Sequence, residues 1–391
     1  MNIKSIRHEQ SRFARILWFS FITQKPFPNM PNQALTMLFR PEILAMSAYS
    51  VADASNFIKL DAMENPYGWP EAVQQAWLEH LKDCPMNRYP DPEAKELACA
   101  LRKSNLIPEQ SGLLLGNGSD EIIQILLMAL TANSVVLAPE PGFVMYKQVA
   151  LSLGLNYHGV PLLAECFELD MPAILEAITC LQPRLIFLAY PNNPTGNLFD
   201  ARSIKQILEV APGLVVVDEA YAPFADASFI EALPNHPNLL VMRTVSKLGL
   251  AGLRLGFLAG DKAILAQLNK VRLPYNINCL TQITARFALQ NQEFLLQQTH
   301  TITQQRGLVL AAMQAIPGIQ AYPSAANFIL FKTLQHSADH IFAALKAQGI
   351  LIKNLSPQGG LLNNCLRVTI GKPEENQAFL TALQNSLAPL T

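Results

Sequence analysis

From about residue 113 the chain alternates short, continuous apolar runs with stretches of helical period. The runs cover residues 113–115, 135–138, 185–190, 214–219 and 239–242. Residues 122–130, 142–150 and 203–210 lie between them and read as helical stretches, the second opening on a turn. Strands buried on both faces lose the polar alternation of a half-exposed strand. Such runs separated by helices therefore predict a mostly parallel sheet covered on both sides, an α/β fold. In sheets of this kind ligands sit beyond the carboxyl ends of the strands. Asn193, Asp218 and Lys247 each fall at or just past the end of such a run.

The flanking regions read differently. Residues 70–81 and 93–104 predict helices, the first with a proline at its start, where the missing N–H costs nothing. The turn-rich stretches 60–68 and 88–92 place Tyr67 and Tyr89 on stiff loops. Beyond about residue 285 the pattern predicts one long helix over 288–315, a strand at 328–331 and a helix over 340–348. Strands at 350–353 and 366–370 follow, with 356–360 as a flexible loop between them, giving a small α+β domain. The expected division is an N-terminal extension (1–36), an arm with part of the small domain (37–88), a large domain (89–290) and the C-terminal small domain (291–391). Residues 1–36 carry Lys4, Arg7, Arg12, Arg15 and Lys25 against a single acid, Glu9. They read as a tail, an over-long start or a basic targeting segment.

Composition narrows the function. The chain has 391 residues, 50% of them hydrophobic, and a net charge of −1. It can bury a large core, and its near-neutral charge argues against a nucleic-acid or anionic-membrane partner held by bulk electrostatics. The apolar run at 16–22 is too short to span a bilayer. The six cysteines are scattered without a C-x-x-C pair, which points to reduced thiols in a cytoplasmic protein and to no metal site.

The stretch 243–254 carries the chemistry. Lys247 sits among small and apolar residues, so desolvation can lower its pKa and free the amine as a nucleophile toward carbonyls. Ser246 and Arg254 are the hydroxyl and guanidinium that suit a phosphate monoester. A glycine turn at 116–118 opens a helix at Ser119 or Asp120, expected as its cap, and free N–H groups at a helix start attract phosphate. Asp218 closes an apolar strand, and a buried carboxylate needs a partner, which a protonated ring nitrogen could be. Tyr221 lies three residues on and can return its hydroxyl to the same place. An aldehyde cofactor with a phosphate, pyridoxal phosphate, would use all of these groups.

In this order the pieces resemble the fold-type I pyridoxal-phosphate aminotransferases, from about Arg40 to the C-terminus. The motifs are Pro191-Asn192-Asn193-Pro194-Thr195-Gly196, Asp218-Glu219-Ala220-Tyr221, and Ser246-Lys247 with Arg254. Within that superfamily, residues 60–68, 88–92, 116–121 and 365–371 are similar to those of the histidinol-phosphate aminotransferases. The resemblance implies a seven-stranded, mostly parallel sheet between helices with a small α+β domain. It implies transfer of an amino group from histidinol phosphate to 2-oxoglutarate, with aromatic amino-acid transamination or phosphothreonine-type decarboxylation as alternatives on the same scaffold. It assigns Lys247 as the covalent anchor and proton carrier, Asp218 to the ring nitrogen, and Tyr221 and Asn193 to the ring oxygen. Phe143 stands where the family usually stacks a tyrosine on the ring. The phosphate falls to Ser119, Asp120, Ser246 and Arg254, with Tyr89 reaching over from a second subunit of a homodimer. The substrate's anionic end falls to Arg367, Tyr67 and Lys353, the last at a position the family usually fills with arginine.

Overall fold

The computed structural model describes residues 38–48 and 53–387; the expectation for residues 1–36 lies outside them. The chain divides into two units between Ser50 and Val51. In the first, Pro41–Ala45 forms a five-residue helix. The described residues of the second hold thirteen strands: β1 (Ile58–Lys59), β2 (Gly112–Gly116), β3 (Val135–Glu140), β4 (Asn156–Pro161), β5 (Leu185–Ala189), β6 (Leu214–Asp218), β7 (Leu239–Thr244), β8 (Gly256–Gly260), β9 (Ile319–Ala321), β10 (Phe328–Thr333), β11 (Ile350–Leu351), β12 (Lys353–Asn354) and β13 (Cys365–Thr369).

Seven strands form one sheet in the order β2-β8-β7-β6-β5-β3-β4. Only β8 runs antiparallel to its neighbours, β2 and β7. The expected mostly parallel sheet of seven strands is thus present, as the α/β class requires. Its centre is dry: every residue of β5 is buried, and Val215, Val216 and Val217 of β6 have no exposed surface. Burying each such side chain contributes about 1.5–3 kcal/mol. Helices cover both faces. Ala201–Val210 buries Ile204, Ile207 and Leu208, a stripe three and four residues apart, and Asp200 caps it by accepting the Arg202 N–H at 3.3 Å.

The remaining strands form a four-stranded antiparallel sheet, β12-β13-β10-β9, and a parallel pair, β1-β11. The helix Pro373–Leu387 packs Phe379 and Leu383 into the same core as Phe328, Phe331 and Leu366.

Several local expectations change. The long helix expected over 288–315 is two helices, Cys279–Gln290 and Glu293–Gln314. Asn291 leaves helical geometry at φ −118°, and its amide bonds the Phe287 carbonyl, as asparagine does where it competes with the helix ladder. The run 350–353 splits at Ile352: β11 pairs with β1, and β12 with β13. The loop at 356–360 holds two short 3₁₀ turns, Ser356–Gln358 and Gly360–Leu362. Among the described residues no helix is long and apolar enough to cross a membrane.

Candidate active site

The parallel strands end along one edge. The register sets Ala189 beside Asp218 and Asp218 beside Met242. Gly256, at the start of the reversed β8, lies between Gly116 and Thr244 on the same edge. The segments leaving these ends enclose a cavity of about 240 Å³. It is lined by Ser119, Asp120, Phe143, Asn193, Asp218, Tyr221, Ser246, Lys247 and Arg254, together with Ala62, Met63 and Glu64 from the N-terminal loop. Nine residues singled out from the sequence therefore meet in one place. Tyr67, Tyr89, Lys353 and Arg367 do not line it.

The floor is Asp218. It is 5% exposed, and both its oxygens are held: Oδ1 accepts the Ala220 N–H at 3.0 Å, and Oδ2 accepts the Tyr146 hydroxyl at 2.5 Å. Burial nevertheless pushes its pKa up to about 6, against the pull of these two hydrogen bonds. The protein does not fully compensate the ionised carboxylate, so a cationic ligand atom would be welcome there.

Lys247 follows β7 in a short 3₁₀ turn, Ser246–Leu248. Its amine donates to the Ala62 carbonyl at 3.4 Å and lies 5.7 Å from the centre of the Tyr221 ring. Burial first, and the Arg367 cation second, lower its pKa to about 8. Near neutral pH a sizeable fraction is then the free, nucleophilic amine.

A third group of residues forms a cradle. The helix Ser119–Met128 starts directly after Gly118, whose φ is +85°. Gly118 holds the N-cap position, and no side chain caps the helix, which corrects the expectation that Ser119 or Asp120 does so. Both residues stand in the first turn, and Asp120 accepts from Arg254 Nη2 at 3.3 Å. A Cβ at Gly118 would lie 2.6 Å from that same nitrogen, and one at Gly256 would lie 2.9 Å from the Ser119 backbone nitrogen. The guanidinium and the helix start therefore come together only because glycine occupies these positions. Gly118→Ala is expected to cost about 1–3 kcal/mol, because positive φ with extended ψ is a backbone region open almost only to glycine, and to displace Arg254. The thermal midpoint should fall and phosphate-bearing ligands should bind more weakly; calorimetry and ligand titration would show both. On the other wall, the Thr244 hydroxyl accepts the Ser246 N–H at 3.1 Å and fixes the serine.

Asn193 joins the cavity to its surroundings. Its amide donates to the Tyr221 hydroxyl at 3.1 Å, and its carbonyl accepts from Arg367 Nη1 at 2.5 Å. Arg367, on β13, is 6% exposed, donates through Nη2 to the Asp61 carbonyl at 3.1 Å and lies over the Phe328 ring at 5.2 Å. Lys353 is the residue opposite Arg367 in the β12–β13 register. Tyr67 is half-buried beside Glu374 and Glu375, and its backbone N–H is held by Asn65 Oδ1 at 2.9 Å. Tyr89 is 79% exposed and stacks on Tyr275 at 4.5 Å.

Tyr146 did not stand out in the sequence, although it holds Asp218. The available signal is its position three residues after Phe143, on the helix Val144–Ser152 that follows the β3 turn. Such spacing makes the two side chains neighbours on one turn without saying what they face.

Residues 55–383 match the family described as Aminotransferase class I and II. The chain belongs to that family. Among aminotransferases, it is 54% identical over 356 residues to "Histidinol-phosphate aminotransferase 2" of Nitrosococcus oceani, covering 91% of this chain and 99% of that protein. It is 49% identical over 348 residues to "Histidinol-phosphate aminotransferase" of Chromobacterium violaceum, covering 89% and 97%. Its fold is similar to the crystal structure of histidinol-phosphate aminotransferase from Sinorhizobium meliloti in complex with pyridoxal-5'-phosphate. That likeness has a TM-score of 0.78 at 24% identity, covering 89% of this chain and 97% of that one. The edge that carries Lys247, Asp218 and Arg254 lies within the part of this aminotransferase that the family covers.

Proposed function

We propose that this aminotransferase uses pyridoxal 5'-phosphate to convert L-histidinol phosphate and 2-oxoglutarate into imidazole acetol phosphate and L-glutamate, the histidinol-phosphate transaminase reaction of histidine biosynthesis. The observation that carries the reaction is a lysine with a pKa near 8 sharing one cavity with a buried, incompletely compensated carboxylate. The 54% identity along nearly the whole of a protein named for that reaction supports the substrate.

The residues present suit the cofactor. Asp218 offers a negative charge for a protonated ring nitrogen, Lys247 an amine for the aldehyde, and the helix start at Ser119 with Ser246 and Arg254 a place for the phosphate. When bound, the cofactor supplies an electron sink for the pair left by the broken substrate C–H bond. The protein does the rest. Lys247 would take the proton from the substrate carbon and hold it at its amine for return. Asp218 would hold the ring nitrogen in its charged form, and Tyr221, Asn193 and Phe143 would hold the ring. Arg367 binds the anionic end of either substrate, assisted by Lys353 and Tyr67. Tyr89 serves the phosphate of a neighbouring subunit in a homodimer, a reading supported by its exposed stack with Tyr275.

The test is kcat/KM of the cofactor-loaded protein for histidinol phosphate and for phenylalanine, each with 2-oxoglutarate. A preference of roughly 100-fold for histidinol phosphate is expected, the order of one or two hydrogen bonds to a charged group. A preference for phenylalanine would move the substrate to the aromatic amino acids.

A further inference from the structure

Tyr146 occupies a place with no freedom. It is 1% exposed, its ring lies parallel to Phe187 at 4.3 Å, and it meets Phe143 edge-on at 5.5 Å. Its hydroxyl therefore has one position, 2.5 Å from Asp218 Oδ2. Burial and the neighbouring Asp218 both push its own pKa well up, so it stays a donor across the working pH range. The remaining Asp218 oxygen is taken by the Ala220 N–H. A carboxylate gripped at both oxygens cannot rotate, and two donors favour its charged form over its protonated form.

We propose that Tyr146 is a positioning residue, which holds the Asp218 carboxylate ionised and aimed into the cavity, and through it sets the charge on the ring nitrogen of the cofactor. This rests on the pyridoxal-phosphate reading of the site. Phe143 and Tyr146 would then divide two tasks along one turn of chain: the first would hold the ring, and the second anchors Asp218. The other groups facing Asp218 act in opposite senses. Asp120, from the helix Ser119–Met128, and Glu219, next in the chain, disfavour its charge. Lys247 and Arg254 line the same cavity from the segments after β7, and Tyr221 lies beside them. Tyr221 and Tyr157 of β4 act electrostatically in the same sense as burial and disfavour ionisation of Tyr146. Tyr146 is the side-chain donor that offsets the two acids.

The experiment compares the cofactor-loaded wild-type enzyme with Tyr146→Phe, which keeps the ring and removes only the hydroxyl. The kcat is expected to fall roughly 10- to 100-fold, the scale of one hydrogen bond to a charged group, with KM for histidinol phosphate nearly unchanged. The acid limb of the kcat profile should move to higher pH, because Asp218 then protonates more readily. The cofactor should bind about tenfold more weakly. In an Asp218→Asn background, Tyr146→Phe should add almost nothing, since it acts through that carboxylate. Phe187→Leu disturbs the stacking and spares the hydroxyl, so it should leave the acid limb in place. The proposal is overturned if Tyr146→Phe matches the wild type, if its effect persists in full beside Asp218→Asn, or if Phe187→Leu reproduces its pH shift. A wild-type protein that takes up no cofactor would overturn the parent reading as well, which separates the two failures.

Discussion

Replacing Lys247 by alanine is expected to lower turnover roughly 10⁴-fold or more, the scale of losing a residue that is both nucleophile and proton carrier. It should also remove the visible absorbance of the loaded enzyme that depends on covalent attachment. The reason lies in the surroundings of the amine. At pH 8 a lysine with its ordinary pKa of 10.5 is almost entirely charged, whereas one at about 8 is half neutral. The cavity therefore raises the supply of free amine roughly 100-fold. Arg367 contributes as the second cause of the shift, so the guanidinium proposed for the substrate's anion also helps to prepare the nucleophile. Turnover that survives in Lys247→Ala would show the assignment to be wrong.

Asp218→Asn is expected to produce opposite changes in stability and activity. The folded pKa of Asp218, about 6, lies above its ordinary value of 3.8. Over that window the folded state binds the proton more tightly than the unfolded state, so stability falls as pH rises from about 4 to about 6. Above pH 6 the penalty is fully present and corresponds to about 3 kcal/mol. Asparagine fills the same space, and the Tyr146 hydroxyl can turn to accept from its amide. The unloaded variant should therefore melt at a higher temperature than the wild type at pH 7.5, and the two should converge as pH falls toward 4. Activity should move the other way, with kcat falling by about 10²-fold or more as the ring nitrogen loses its counter-ion. Melting curves of unloaded protein at several pH values would check the first half and steady-state kinetics the second. A variant less stable than the wild type at pH 7.5 would show that the carboxylate is compensated within the fold. The cost is consistent with a group kept for chemistry.

Much of this site was legible because each key residue ends an apolar run. Asp218 closes β6, Lys247 follows β7, and Asn193 follows β5, so strand-end logic alone brings them together. The reversed strand β8 was not legible: Gly-Phe-Leu-Ala-Gly has glycine at both ends and reads as punctuation, although its backbone completes the sheet. The edge strand β4 was missed because an edge needs no continuous apolar run, and its Asn156 and His158 look like loop. Tyr146 escaped notice for a different reason. It belongs to a helix whose apolar and polar positions are mixed, and nothing in spacing tells which tyrosine finds a carboxylate across the sheet. The missing side-chain cap at Ser119 follows from Gly118: the positive-φ backbone there puts the guanidinium of Arg254 where a capping side chain would otherwise project.

The order of the seven-stranded sheet also says when the pocket comes into being. β2, which leads into the Ser119 helix, is an edge strand bonded only to β8, about 150 residues further along the chain. Closing so long a loop is slow and brings its reward late. On the ribosome the turn at Gly118 is made early, yet Arg254 and the strand that seats the turn are not made until the chain has reached Gly260. Until that closure, a growing chain has lysine, aspartate and helix but nowhere to seat a phosphate. Cofactor uptake is therefore a report that the large sheet has been finished.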